Sequence, residues 1–533
     1  MAPQLHYRLA RGLSMANPSL FRSLVGALIP AADTRNEAGG RAYELPPRHA
    51  LAQVAATGCL NATFYASADQ QLDRVLDLSA RLEPEFVAKT AIYCRERGYM
   101  KDMPALLLAA LSRRHPALMT RTFDRIVDSP RMLRTFVQIV RSGTVGRKSL
   151  GSAPKRCVRR WLDQRTDAAL FAASVGQAPS LVDVIRMVHP KPATREREAL
   201  YRYLIGRDRD ATSELLPVIV QKFEAFKTGN REELPDVPFP LIAALDLSRD
   251  EWARVAQRSS WQTTRMNLNT FARHGVFDQP AITEMIAARL RDPLQIARAR
   301  VFPYQLLAAY RSLDETVPSA VRAALEEAME MAIANVPSIS GPIYVCPDVS
   351  GSMRSPITGG RRGATSKVRC VDVAALVAAA FVRRNPATEV LPFEQSVVRL
   401  SLSSRDSVMT NAERLAAVGG GGTSVSAPLA ELNRRKAKGD LVVIVSDNES
   451  WVDCAGARGT EIMRQWNAFR ARNKSARLVL IDLQPYSTTQ AVEREDILNI
   501  GGFSDQVFHV ISEFAAGRLS GDHWVERINS IVL

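Results

Sequence analysis

The sequence predicts an all-α solenoid followed by a doubly wound parallel α/β sheet. Two observations predict this. Asn36 to Asn335 carries apolar residues at three-to-four spacing with few strand signals. Beyond Gly341, unbroken apolar runs such as Ile343–Cys346 and Leu441–Val445 each lead to a carboxylate, as buried parallel strands do. A chain of 533 residues is long for one core. The expected division is 1–340 helical and 341–533 α/β.

In the first unit the periodic segments are Leu72 to Gly98, Met103 to Arg114, Leu118 to Val127, Arg131 to Ser142, Leu181 to Val188, Leu215 to Lys227, Arg249 to Arg258 and Ile282 to Leu290. Gly98, Pro104, Pro116, Pro130, Gly143, Pro179 and Pro190 punctuate them at intervals that suit paired helices. The pattern resembles a HEAT-type solenoid, although no fixed-period repeat stands out. Gly229 to Pro240, with three prolines and three acidic residues, reads as a surface loop within the unit. Pro318 to Asn335 reads as the last helix before the first strand.

In the second unit, Pro342 to Met353 reads as a strand whose end presents Asp348, Ser350 and Ser352 in alternation. Hard cations want such oxygen ligands, and open α/β sheets bind ligands at the carboxyl ends of their strands. Gly419 to Gly422 forms a flexible loop able to bring Thr423 to the same place, and Leu441–Ser446 delivers Asp447. In this order and spacing, Asp348, Ser350, Ser352, Thr423 and Asp447 resemble the metal-ion-dependent adhesion site of a von Willebrand factor A domain, a Rossmann-like fold. The resemblance implies Mg²⁺, with Mn²⁺ as the alternative.

Composition narrows the function. Cys59, Cys94, Cys157, Cys346, Cys370 and Cys454 are scattered without a Cys-x-x-Cys pair, which points to neither a zinc site nor a disulfide framework. No apolar run reaches the ~20 residues that span a bilayer, and Leu24 to Ala32 reads as a packed helix instead of a targeting signal. The expected compartment is the cytoplasm, with no membrane partner. Net charge is +15 and uneven: from Gly341 onward 23 Lys and Arg meet 20 Asp and Glu, leaving 47 against 35 before it. A basic first unit suits a polyanion, RNA or DNA, while a merely basic soluble surface is the alternative.

A basic helical unit followed by a metal-site A domain resembles the Ro autoantigen family, whose helical part is the TROVE module. Asn36–Tyr43, Thr63–Ser67, His189–Pro192 and Asp447–Trp451 carry the resemblance, which extends over roughly Asn36 to Phe514. It implies a ring-shaped solenoid closed by the A domain, binding small noncoding Y RNAs on its rim and the single-stranded ends of misfolded RNAs through its hole. The family's RNA-contacting helix matches Gly151–Trp161. Between Arg141 and Arg165, eight Lys or Arg stand against one acidic residue, and phosphate contacts dominate nucleic-acid affinity. The expected RNA-contacting residues are Arg141, Arg147, Lys148, Lys155, Arg156, Arg159 and Arg160, with His189 and Lys191 added by local resemblance. Helical spacing pairs Lys155 with Arg159 and Arg156 with Arg160.

Arg354 to Lys367 departs from the family as an inserted basic stretch beside the metal motif. Gly143–Ser149 imitates a phosphate loop but lacks its spacing and follows a helix pattern. Ser350 stands where phosphotransfer from Asp348 would want a second carboxylate, and no other catalytic set is evident. The expected function is therefore binding, not catalysis: a monomeric ribonucleoprotein scaffold for small Y-like RNA in RNA quality control, tethering an enzyme such as an exoribonuclease. The alternative is a metal-dependent adaptor of an AAA-type ATPase system.

Overall fold

The computed structural model describes residues 29–533 apart from 58–59, 64, 177, 207–213, 300, 302, 334–337, 360–366, 451–458, 503–505 and 520–521. The helical region begins with α1 (Pro47–Thr57), α2 (Ala68–Arg81), α3 (Pro84–Glu96), α4 (Asp102–Arg114), α5 (Pro116–Ile126) and α6 (Pro130–Ser142). Proline stands in the first turn of α3, α5 and α6, where its missing N–H costs no intrahelical bond. The single segment expected over Leu72 to Gly98 is instead α2 and α3, because Pro84 can start a helix but not continue one. Ser67 and Gln70 close the start of α2 with a capping box.

Next come α7 (Ser152–Asp163), α8 (Asp167–Ala173), α9 (Leu181–Val188), α10 (Arg195–Leu204), α11 (Val218–Thr228), α12 (Phe239–Ile242), α13 (Arg249–Arg258) and α14 (Trp261–Met266). The region ends with α15 (Leu268–Arg273), α16 (Pro280–Leu290), α17 (Pro293–Ala299), α18 (Pro303–Arg311) and α19 (Ser319–Ile333). Leu215 falls in a turn before α11, whose entry is set by Pro217. The loop expected at 229–240 stays within the region, since Arg254 and Arg258 donate to the carbonyls of Arg231, Glu232 and Leu234. Its last two residues already belong to α12. The tail of the expected helix to Asn335 lies partly outside the described residues, as does most of Leu24 to Ala32, whose described part, 29–32, is not the helix expected.

The strands are β1 (Thr34–Arg35), β2 (Arg41–Glu44), β3 (Ile343–Pro347), β4 (Glu389–Val390), β5 (Leu441–Ser446), β6 (Arg477–Asp482), β7 (Thr488–Thr489) and β8 (Ile497–Gly501). A five-stranded parallel sheet runs in the order β4-β3-β5-β6-β8. Every residue of β3 and β5 is buried, which explains their unbroken apolar runs. Alternation divides their side chains between faces. Val345, Val443 and Val445 share a core with α20 (Cys370–Arg384) and the helical region, whereas Val442 and Ile444 pack with Leu429, Trp466 and Phe469 from α22 (Ala427–Arg434) and α23 (Glu461–Arg472).

The sequence reading missed the hairpin β1–β2 inside the nominally helical unit. Its second strand pairs antiparallel with β7 of the A domain, Tyr43 opposite Thr489. The helical region therefore starts on the A domain, and it also returns there. At the start, Lys89 of α3 donates to the Asn529 carbonyl at 2.7 Å and Tyr93 meets Trp524 edge-on, both from α25 (His523–Asn529). At the end, Arg311 of α18 pairs with Asp372 at 3.4 Å, and Glu330 of α19 accepts from the Val408 N–H at 2.7 Å and pairs with Arg383. Between these anchors neighbouring helices stay in contact, α3 with α4 and α5, α5 with α7, α8 with α10 and α11, and α13 with α16, itself against α19. The chain thus closes a circuit, with the A domain joining its two ends.

Glu493, between β7 and β8, offers a pH test of this packing. Asn499 donates to one of its carboxyl oxygens at 3.1 Å, and the other is buried without a hydrogen-bond partner among the described residues. Burial pushes its pKa up to about 8. The folded protein then holds a proton that the unfolded chain has already released, so stability falls as pH rises from the ordinary carboxylate range through about 8. Glu493→Gln should remove that loss. Urea midpoints of parent and variant should separate as pH rises, with the variant on the order of 2–4 kcal/mol more stable near pH 8.

Candidate metal site and basic surface

Three loops meet at the carboxyl ends of β3 and β5. Asp348 follows β3, and its Oδ1 accepts the Ser350 N–H at 2.8 Å while the Ser446 hydroxyl donates to Oδ2 at 2.6 Å. The Ser350 and Ser352 hydroxyls lie 3.4 Å apart, and the Glu449 N–H donates at 3.4 Å to Oδ1 of Asp447, the residue after β5. The glycine loop is fastened to this turn by Gly351 N–H donating to the Gly421 carbonyl at 2.9 Å and by the Arg354 guanidinium on the Gly419 carbonyl at 3.1 Å. Gly419 needs to be glycine: its φ is +82°, and a Cβ would strike the Val349 carbonyl. Thr423 follows, buried like the other four predicted residues.

The donors assembled here are all oxygen. Asp447 Oδ2 is buried with no hydrogen-bond partner among the described residues, a costly state for a carboxylate unless a positive charge answers it. Burial raises the pKa of Asp348, and Asp447 adds to the effect; burial likewise raises Asp447. Glu449 and Asp482, neither anticipated from sequence, are also raised by burial and then by Asp447. No group of three or more His, Cys, Asp or Glu forms a metal cluster among the described residues, so the fit rests on two carboxylates and three hydroxyls. That donor set suits a small hard divalent cation.

Residues from the start of the chain form one wall of the site. Tyr65 stands close enough to the site for charge to be felt there: its phenol is pushed up by burial and then by Asp447. Its ring meets Tyr486 edge-on at 6.5 Å, and the Tyr486 hydroxyl lies 2.8 Å from that of Thr63. Ala38 N–H donates to Glu449 at 2.9 Å, and Asn36 Nδ2 to the Ser450 carbonyl at 2.8 Å. A Cβ on Gly40 would collide with the same Ser450 carbonyl. Asn36–Tyr43, Thr63–Ser67 and Asp447–Ser450 thus converge; Phe64 and Trp451 lie outside the described residues. Asp482 was findable from sequence, being another carboxylate at the end of an apolar run, but the contact of Tyr65 was not.

The described ends of the insertion, 354–359 and 367, lie on the same side. Ile357 N–H donates to the Val368 carbonyl at 3.0 Å, and the Thr358 carbonyl accepts from Asn61 at 2.8 Å. Residues 360–366 lie outside the described ones.

The basic residues gather far along the chain from this site, where α6, α7 and α9 adjoin. Arg141 of α6 contacts Met187 Sδ at 3.0 Å, and Arg159 of α7 donates to the Val188 carbonyl at 2.6 Å. Both therefore border the turn that opens with His189, a left-handed C-cap of α9, with exposed Lys191 beyond it. Arg160 is committed to Asp124 at 2.9 Å and Arg147 to the Leu150 carbonyl at 3.2 Å. The side chains of Lys148, Lys155 and Arg156 make no hydrogen bond or ion pair among the described residues. The expected pairing is therefore uneven: Lys155 and Arg156 keep their charges available while Arg159 and Arg160 also hold the fold. The Gly143–Ser149 stretch is a turn between α6 and α7 with no preceding strand.

Residues 343–515 match the Ro60 vWA domain family. The chain is 25% identical over 523 residues to the RNA-binding protein RO60 of Deinococcus radiodurans, covering 91% of this chain and 96% of that one. It also superposes on the crystal structure of the Ro (RSR) protein of Deinococcus radiodurans with a TM-score of 0.62 and 20% identity, over 89% of this chain and all of the other. No described helix is long and apolar enough to cross a membrane.

Proposed function

With a Ro60-type von Willebrand factor A domain closing a Ro-like helical circuit, we propose that this protein binds RNA through the basic corner of α6, α7 and α9. The observation that carries this reading is the convergence of Arg141, Arg159 and His189, distant in sequence, beside the uncommitted Lys148, Lys155 and Arg156. Such charges contact phosphates and set position without reading sequence. The likeness to a named RNA-binding protein over 91% of the chain supports the same polyanion.

The proposed ligands are a small structured RNA of the Y-like class on this surface and single-stranded RNA ends within the helical circuit, in RNA quality control or processing beside an exoribonuclease. Asp348, Ser350, Ser352, Thr423 and Asp447 would hold Mg²⁺, or Mn²⁺ in its place. A divalent cation supplies the positive charge that the buried aspartate pair lacks. The chain's residues bind and position; the proposed role includes no turnover.

A hairpin RNA with a single-stranded 3′ tail should outcompete its blunt version at fixed salt. Charge density alone favours the blunt duplex, whereas a narrow basic passage selects a strand that can thread and be gripped along its backbone. Equal affinities in a competition gel shift would leave outer-surface binding only.

A further inference from the structure

A cavity of about 320 Å³ lies between α2, the end of α4 and the turn from α6 to α7, a volume at the small end of ligand pockets. Leu76, Leu82, Leu111 and the buried Val145 give it apolar walls. Arg113, Arg114 and His115 line it as well, all three exposed, and no carboxylate does. The side chains of these three make no hydrogen bond or ion pair among the described residues. The turn is shaped around them. A Cβ on Gly146, whose φ is +73°, would strike the Arg113 guanidinium, so the missing side chain leaves that group its place at the cavity. Carbons of the Lys148 stem lie 3.9 and 4.0 Å from where a Cβ on Gly143 would stand, which brings a further uncommitted cation to the same wall. His115 is also the N-cap of α5, whose first N–H groups have no side-chain cap among the described residues, so the helix end adds its own attraction for an anion.

Two guanidiniums and an imidazole around an apolar recess suit an anion with more than one charge and a flat apolar body. A phosphate monoester carries up to two charges and takes forked contacts from arginine, and a heterocycle stacks on a guanidinium plane. The single carboxylate of a fatty acid would leave one guanidinium unanswered. We propose that this cavity binds one nucleotide, its heterocycle against Leu76, Leu82 and Leu111 and its phosphate on Arg113 and Arg114, either as a free nucleotide or as an unpaired residue of an RNA chain. The proposal goes beyond the RNA reading above and does not depend on it, because a free nucleotide can fill the cavity without RNA.

The test titrates the full chain calorimetrically with adenosine monophosphate, and with adenosine or inorganic phosphate as its separate parts. The nucleotide should bind at least about tenfold more tightly than either part. Ala80→Leu, which extends a larger side chain from the exposed face of α2 into the recess, and Arg113→Gln, which removes one charge, should each weaken nucleotide binding by roughly tenfold. Arg113→Gln keeps the test decisive if the first variant does not fold. The tailed hairpin RNA then identifies the source: displacement of the nucleotide from the parent supports an RNA residue in the cavity, and a nucleotide retained at saturating RNA supports a free one. No nucleotide binding by the parent, inorganic phosphate bound as tightly as the nucleotide, decanoate bound more tightly than it, or parent affinity in both variants would overturn the proposal and leave the RNA reading standing. Nucleotide binding without RNA binding would overturn the RNA reading alone.

Discussion

Alanine at Lys148, Lys155 and Arg156 together is expected to weaken binding of a structured small RNA by roughly 50- to 100-fold at physiological salt, since each phosphate contact contributes about 0.7 to 0.9 to the salt slope. These three are chosen because their charged heads have no partner among the described residues. Folding should be unaffected, as surface basic side chains without a partner contribute little to stability. Arg160→Ala makes a useful contrast. It gives up an exposed pair with Asp124, worth about 1 kcal/mol or less, and with it one charge already partly neutralised. Gel shifts across a salt series separate the two variants. A triple variant with an unchanged slope would remove the α7 surface from the RNA site.

Asp348→Ala and Asp447→Asn should each abolish Mg²⁺ binding while leaving RNA affinity nearly unchanged, because the basic corner belongs to α6, α7 and α9. Their effects on the metal-free fold should differ in sign. Asp348 accepts from the Ser350 N–H and the Ser446 hydroxyl, so its loss leaves two buried donors unpaired, at about 1–3 kcal/mol each. Asp447 has one oxygen without a partner and faces Asp348, Glu449 and Asp482, so Asp447→Asn relieves repulsion and should raise the melting temperature in a chelator. Calorimetric Mg²⁺ titration, melting curves and RNA gel shifts on the same preparations check all three statements. Parent-like Mg²⁺ heats in Asp447→Asn would exclude that residue as a ligand.

Local chemistry made much of this protein legible from its sequence. The boundaries of α9 and α13 follow from periodicity and a serine cap, and the buried strands β3 and β5 follow from runs too apolar for any exposed face. The five oxygen donors could be picked out because strand ends and a glycine loop are local signals. The split at Pro84 was equally local and should have been read, since proline ends one helix and begins another.

Tertiary structure alone decided what lies at long sequence separation. Two- and four-residue strands such as β1 and β2 carry too few residues for a period to show, and the pairing of β2 with β7 depends on a partner more than 440 positions away. Tyr65 gives no sign of its place, because a single tyrosine near a turn is ordinary until Tyr486, distant in sequence, is packed against it. The same holds for the arginines of α7. Sequence assigns them one charge each, whereas packing commits Arg159 to the Val188 carbonyl and Arg160 to Asp124 and leaves Lys155 and Arg156 unengaged. Elements and donor types are set by forces acting within a few residues. Closure of the circuit and the availability of each charge depend on contacts between residues hundreds of positions apart, which only the folded chain brings together.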